Sequence, residues 1–162
     1  MTHAVAQALK QPILGAADIA RLIPHHGSMC LLAQVLHYDA QSIHCTAVSH
    51  RLQDNPLREN GMLHAVCGVE YAAQAMAVHG ALLSGGNQPP RGGRLASVRT
   101  VELCTHRLDT VTGDLCIHAV QIMGDSNSMV YEFTVGSFDT TLLKGRATVV
   151  LVPLTSTEEK TP

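Results

Sequence analysis

Glu70 and Gln74 are the residues whose types and spacing best suit chemistry. They stand four apart within residues 61–83, where nearly every other side chain from Ala65 to Leu83 is small or apolar. That composition predicts one long helix with no solvent-facing stripe, wrapped by other structure on most sides. Gly68, Ala72, Ala73 and Ala77 keep it thin, so a larger side chain at Ala73 is expected to overpack. At roughly 100° per residue, Glu70 and Gln74 share one face, while His79 points to the opposite side. The helix thus carries a carboxylate into an apolar interior. A carboxylate there is either paired structurally or held for acid–base work, because burial without a partner raises its pKa or costs stability.

Other candidates surround that pair. His64, six residues before Glu70 and off its stripe, reads either as a residue bonding local backbone at the helix start or as a catalytic partner. His25 and His26, ahead of the first strand, read as solvated loop residues before they read as contributors to a site between subunits. The first N–H groups of a helix lack internal partners, so those near Ala65 and Val66 can polarise a carbonyl. Arg58 reads as a rim charge, with a salt bridge or a phosphate contact as alternatives. The ten histidines form no metal-ligand spacing, and no metal is expected.

The elements that must position these residues follow from hydrophobic period and turn chemistry. A chain of 162 residues suits one domain, here with a core over about residues 17–152 and a frayed tail over 153–162. After a poorly patterned start, a short helix over residues 16–22 is followed by strands over 29–38 and 42–49. Beyond the long helix, Gly- and Pro-rich residues 84–93 lead into strands over 94–107, 114–123, 128–137 and 142–152. Two strands, one apolar helix and a strand meander describe an α+β fold, an antiparallel sheet curled around a single central helix.

Composition excludes several classes. Eleven basic against thirteen acidic residues, with no basic run, argue against a nucleic-acid partner. Glu70, Gln74 and His79 interrupt the only stretch long enough to span a bilayer, and no leader pattern opens the chain. Five scattered cysteines, never in a Cys-x-x-Cys pair, read as reduced core residues. The expectation is a soluble cytoplasmic protein.

Two stretches carry a family resemblance. Residues 23–36, Ile-Pro-His-His-Gly-Ser-Met-Cys-Leu-Leu-Ala-Gln-Val-Leu, resemble the leading strand of hotdog-fold 3-hydroxyacyl-acyl-carrier-protein dehydratases, and residues 70–76 resemble their helix motif of Glu followed four later by Gln. Residues 55–58 together with 68–80 are similar to the predicted dehydratases found beside aryl polyene biosynthesis enzymes. The resemblance implies a hotdog dimer with sheets joined edge to edge, an acyl tunnel between the helices, and sites at the subunit interface. It also implies an acyl carrier protein partner, whose phosphopantetheine arm brings the substrate, so no separate cofactor is needed. In the family a His on the loop before the helix, supplied by the other subunit, works with the helix carboxylate; the matching position here is Pro56.

Three functions are therefore set side by side. The first is a lyase eliminating water from a 3-hydroxyacyl thioester in fatty acid, polyketide or aryl polyene biosynthesis, with Glu70 and His64 catalytic and Ala65, Val66 and Gln74 binding substrate. The alternatives are a hotdog thioesterase in which Glu70 activates water, and a non-catalytic acyl-carrier-binding subunit. For assembly, either a homodimer or a heterodimer with a His-bearing homologue is expected.

Overall fold

The computed structural model describes residues 11–85 and 92–152. The expected tail over 153–162 and most of the Gly- and Pro-rich connection lie outside the described residues. A two-residue strand, β1 (Leu14–Gly15), precedes helix α1 (Ala16–Leu22), whose first-turn Asp18 accepts from the Gly15 N–H at 3.3 Å. The helix ends two residues before Pro24, as sequence reading requires.

Strands β2 (Gln34–Tyr38) and β3 (Ser42–Ala47) follow. The first starts five residues later than the expected position 29. The Met29 carbonyl and the Leu31 N–H are taken by the side chain of Gln74, and Gly27–Met29 forms a 3-10 turn, so this stretch is bonded to the helix instead of a strand ladder. At the β2–β3 turn, Asp39 Oδ1 accepts from the N–H groups of Gln41 and Ser42, both at 2.8 Å. That side-chain-closed turn sets the hairpin.

The long helix α2 (Gly68–Leu83) is preceded by a 3-10 turn, Ala65–Cys67. Then come β4 (Gly93–Leu103), β5 (Leu115–Gly124), β6 (Ser128–Ser137) and β7 (Thr140–Leu151). Strand β4 stops short of the expected residue 107, because the chain turns to meet the start of the helix. There Ala65 N–H bonds the His106 carbonyl at 3.0 Å and Leu108 N–H the Leu63 carbonyl at 2.7 Å.

All seven strands pair antiparallel in the order β1-β2-β3-β5-β6-β7-β4. The sheet packs around α2, chiefly through β3, β5 and β6. This is the hotdog arrangement. Alternation along the strands sends Ile43, Cys45, Ile117, Ala119, Phe133 and Val135 inward against Tyr71, Ala72, Ala75 and Val78 of the helix, all buried. Strand β4 closes one edge and is exposed along most of its length, with Leu95 and Leu103 bare. Among the described residues, no helix is long and apolar enough to cross a membrane.

One expectation about the helix is corrected. Glu70, Ala73, Ala77, Gly80 and Ala81, spaced three and four apart, form a half-buried stripe that lines a cavity and is not covered by sheet. Gly68 and Ala72 do face the sheet, and both are buried. A Cβ on Gly68 would lie 2.5 Å from Leu143 Cδ2, and Leu143 is itself fully buried. Gly68→Val is therefore expected to cost about 1 to 3 kcal/mol by overpacking. Ala73→Leu, extending into open space, should leave the unfolding midpoint nearly unchanged; paired denaturant melts check both.

Candidate active site

Glu70 lies in the first turn of α2, at one end of a cavity of about 490 Å³. Helix backbone spacing of 1.5 Å per residue carries the small stripe from Glu70 to Ser84, so the cavity follows the helix for about 20 Å. Met76, Met129 and Val149 add apolar wall, and Arg21, Asp125 and Ser126 add a polar rim. Such a groove suits a long apolar chain with its polar end at Glu70.

Two side chains converge on one oxygen of Glu70. Gln74 Nε2, one helical turn on, donates to Oε1 at 3.1 Å, and His25 Nε2 stands 3.0 Å from the same atom. The side chains of His25 and Glu70 are 28% and 32% exposed, so the pair sits at the cavity wall with access to exchangeable protons. Glu70 is thus less buried than the apolar helix suggests.

Gln74 is fully buried and fully used. Its amide hydrogens go to Glu70 Oε1 and to the Met29 carbonyl at 2.7 Å, while its Oε1 accepts from Leu31 N–H at 2.9 Å. These bonds also fix which end of the amide is oxygen. The sequence reading assigns Gln74 to substrate; the structure gives it a clamp between the helix and the segment carrying His25.

The other expected site residues lie elsewhere. His64, Ala65 and Val66 line a second cavity of about 430 Å³, with Leu103, Cys104, Thr105 and His106. Among the described residues, the histidine beside Glu70 is His25, and His64 instead forms a backbone bridge with Arg107. The expected donor role of Ala65 is corrected too, since its N–H is already bonded to the His106 carbonyl. Val66 remains exposed at the wall of the second cavity.

The loop before the helix is braced from below. Arg58, whose side chain is only 9% exposed, donates to the carbonyls of Leu52, Gly61 and His50 at 2.8, 3.0 and 3.3 Å and lies 3.8 Å from Asp109 Oδ2. It is a staple, not the rim charge that its sequence position suggests. Asp109 also accepts from Leu63 N–H at 2.9 Å and pairs with Arg107. Tyr71 OH meets Ser49 Oγ at 2.8 Å and Asn55 Nδ2 at 3.0 Å, tying the same loop to the helix. Pro56 is exposed at its tip.

On the far side of the helix, His79 is fully buried and both ring nitrogens are bonded. Nε2 must donate to the Asp39 carbonyl at 2.9 Å, so Nδ1 accepts from Tyr131 OH at 2.8 Å. Burial pushes the Tyr131 hydroxyl up to about 12. His79 is a satisfied structural residue.

Comparison with known proteins fits this geometry. The family model of ApeP-like proteins, described as ApeP dehydratase, matches residues 17–159. No curated protein matches the chain. The chain is similar to the solved dehydratase heterocomplex ApeI:P from Xenorhabdus doucetiae, with a TM-score of 0.75 at 23% identity over 85% of this chain and 92% of that one. It is also similar to a variant of thioesterase PA1618 from Pseudomonas aeruginosa, with a TM-score of 0.54 at 18% identity over 75% of this chain and 81% of the other. Thioesterase HI1161 from Haemophilus influenzae gives a TM-score of 0.55 at 13% identity, over 77% of this chain and 81% of the other. At these identities the structures establish the fold.

Two outcomes test the supports of the site. Gln74→Leu should cost about 1 to 3 kcal/mol, because it leaves the Leu31 N–H unpaired in the interior; chemical denaturation reads this directly. Asp109 is held well below the usual carboxylate range, first by the hydrogen bond from Arg107. A depressed folded-state value means that its contribution is complete above about pH 4 and is lost as pH falls further. Asp109→Asn should therefore be less stable at neutral pH and lose less stability than the parent on acidification, as melts across that range would show.

Proposed function

The chain belongs to the ApeP-like dehydratase family, and from that premise we propose that it eliminates water from 3-hydroxyacyl thioesters delivered on an acyl carrier protein. The observation that carries this reading is the placement of Glu70 at the wall of a long apolar groove, fixed through Oε1 and open at its other oxygen. Among the described residues Oε2 takes no hydrogen bond. Elimination needs a base for the C2 proton and an acid for the departing hydroxyl. The electron pair of the C2–H bond becomes the C2=C3 bond, the C3–O bond breaks, and the oxygen leaves as water after taking a proton from Glu70 Oε2. The histidine that accepts the C2 proton then holds the one proton needed to restore Glu70.

We assign that histidine to a second subunit. The loop position that resembles the family's His is Pro56 in this chain, so two copies alone would lack it. The dehydratase heterocomplex from Xenorhabdus doucetiae supports a heteromeric assembly, as does the exposed edge strand β4. In this reading the partner is a homologue that keeps the loop His.

Purified protein, the His-bearing homologue and their mixture should be incubated with a 3-hydroxyoctanoyl carrier protein and followed by mass spectrometry for loss of water. Dehydration by the mixture, little by this protein alone, and a fall of about 10²- to 10⁴-fold in Glu70→Gln are expected. Release of free thiol without dehydration would establish the thioesterase instead, and full activity of the Glu70→Gln mixture would leave this chain a binding subunit. Light scattering of the mixture should give a mass above that of one chain.

A further inference from the structure

We propose that His25 is a positioning residue for Glu70, holding its Oε1 so that Oε2 alone faces substrate and giving the carboxylate a neighbouring donor as its charge develops. The inference rests on the dehydratase reading above and adds a residue to it. His25 lies on the turn ahead of β2, in the same chain as Glu70 and on a different segment from the loop that carries Pro56.

Three local features aim the imidazole. Gly27 adopts φ +58, a left-handed conformation that favours glycine, and closes the turn in which Met29 N–H bonds the His26 carbonyl at 3.2 Å. Cys30 N–H bonds the Gly27 carbonyl at 3.0 Å, and Cys30 Sγ lies 3.1 Å from the His25 carbonyl. The far end of the turn is then fastened to the helix, since Met29 and Leu31 both bond the side chain of Gln74. His25 and Gln74 therefore reach Glu70 Oε1 from a single braced unit, at 3.0 and 3.1 Å. The second ring nitrogen of His25 is buried and unpartnered, so the ring has its one polar contact at Glu70.

The chemical consequence follows from which oxygen is engaged. When Oε2 gives its proton to the leaving hydroxyl, negative charge spreads to Oε1, where Gln74 Nε2–H and His25 Nε2–H already stand. Donors placed where charge develops lower the barrier without reorganising. The other ionisable groups around the groove have partners elsewhere: Arg21 pairs with Asp18, Asp125 caps the N–H groups of Asn127 and Ser128, and the Tyr131 hydroxyl is bonded to His79.

The test uses the assembled mixture with the 3-hydroxyoctanoyl carrier protein. His25→Ala should lower kcat by about 100-fold, the scale of losing one preorganised donor, with KM little changed. His25→Gln, which restores an N–H donor at that place, should recover part of kcat with KM unchanged. Unchanged kcat in His25→Ala would overturn the proposal, as would a loss shared equally between kcat and KM with a lower melting midpoint and no recovery in His25→Gln. A second readout separates this from failure of the dehydratase reading. If the parent mixture does not dehydrate, nitrogen NMR of labelled histidines decides: Glu70→Ala should move the His25 ring resonances and leave those of His44 and His118 in place, and an unmoved His25 signal would overturn the pairing.

Discussion

One buried amide holds the site together. Gln74 spends both hydrogens and its oxygen on three partners from two distant parts of the chain, the 29–31 segment and the first turn of the helix. A buried amide left partly unsatisfied is expensive, so the geometry that satisfies all three bonds is strongly preferred. Satisfying them brings the turn before β2 against α2, and that contact places His25 beside Glu70. The delayed start of β2 has the same origin, because backbone groups used by a side chain are not free for a ladder.

A second set of bonds fixes the loop that leads into the helix. Arg58 holds three backbone carbonyls of this loop, while Tyr71, Ser49 and Asn55 pin its other end to α2. With Asp109 beneath it, the loop presents Pro56 outward on a rigid support. Its order comes from donors spent inside the chain, and none of those groups points at the groove that Glu70 lines. Support and chemistry are thus divided between the two sides of the helix start.

Much of the fold was legible because its signals are local. The period-two pattern located β6 to the residue, and spacing from Pro24 located α1. The shared face of Glu70 and Gln74 was legible too, as was His79 on the other side. What could not be read were pairings set by tertiary structure. His25 is forty-five residues from Glu70 and reads as loop; the nearest signal for it lay in the Ile-Pro-His-His stretch of the resemblance. Arg58 reads as a surface charge because its acceptors are backbone carbonyls, which every sequence contains. The open stripe was hidden for a different reason, since Ala and Gly look alike whether they face a sheet or a groove.

That stripe sets the last constraint. On one face of α2 the buried imidazole is closed off: His79 is bonded at both nitrogens, to the Asp39 carbonyl and to the Tyr131 hydroxyl. On the other face Ala73, Ala77, Gly80 and Ala81 leave a cavity along the helix. Small residues there keep volume free at a cost in buried contacts, since each larger side chain would have recovered apolar burial. A helix that gives up this packing, beside a carboxylate anchored by one oxygen, is shaped for a guest that restores the burial when it binds. Under the proposed dehydratase reading that guest is a long apolar acyl group, its reacting end against Glu70.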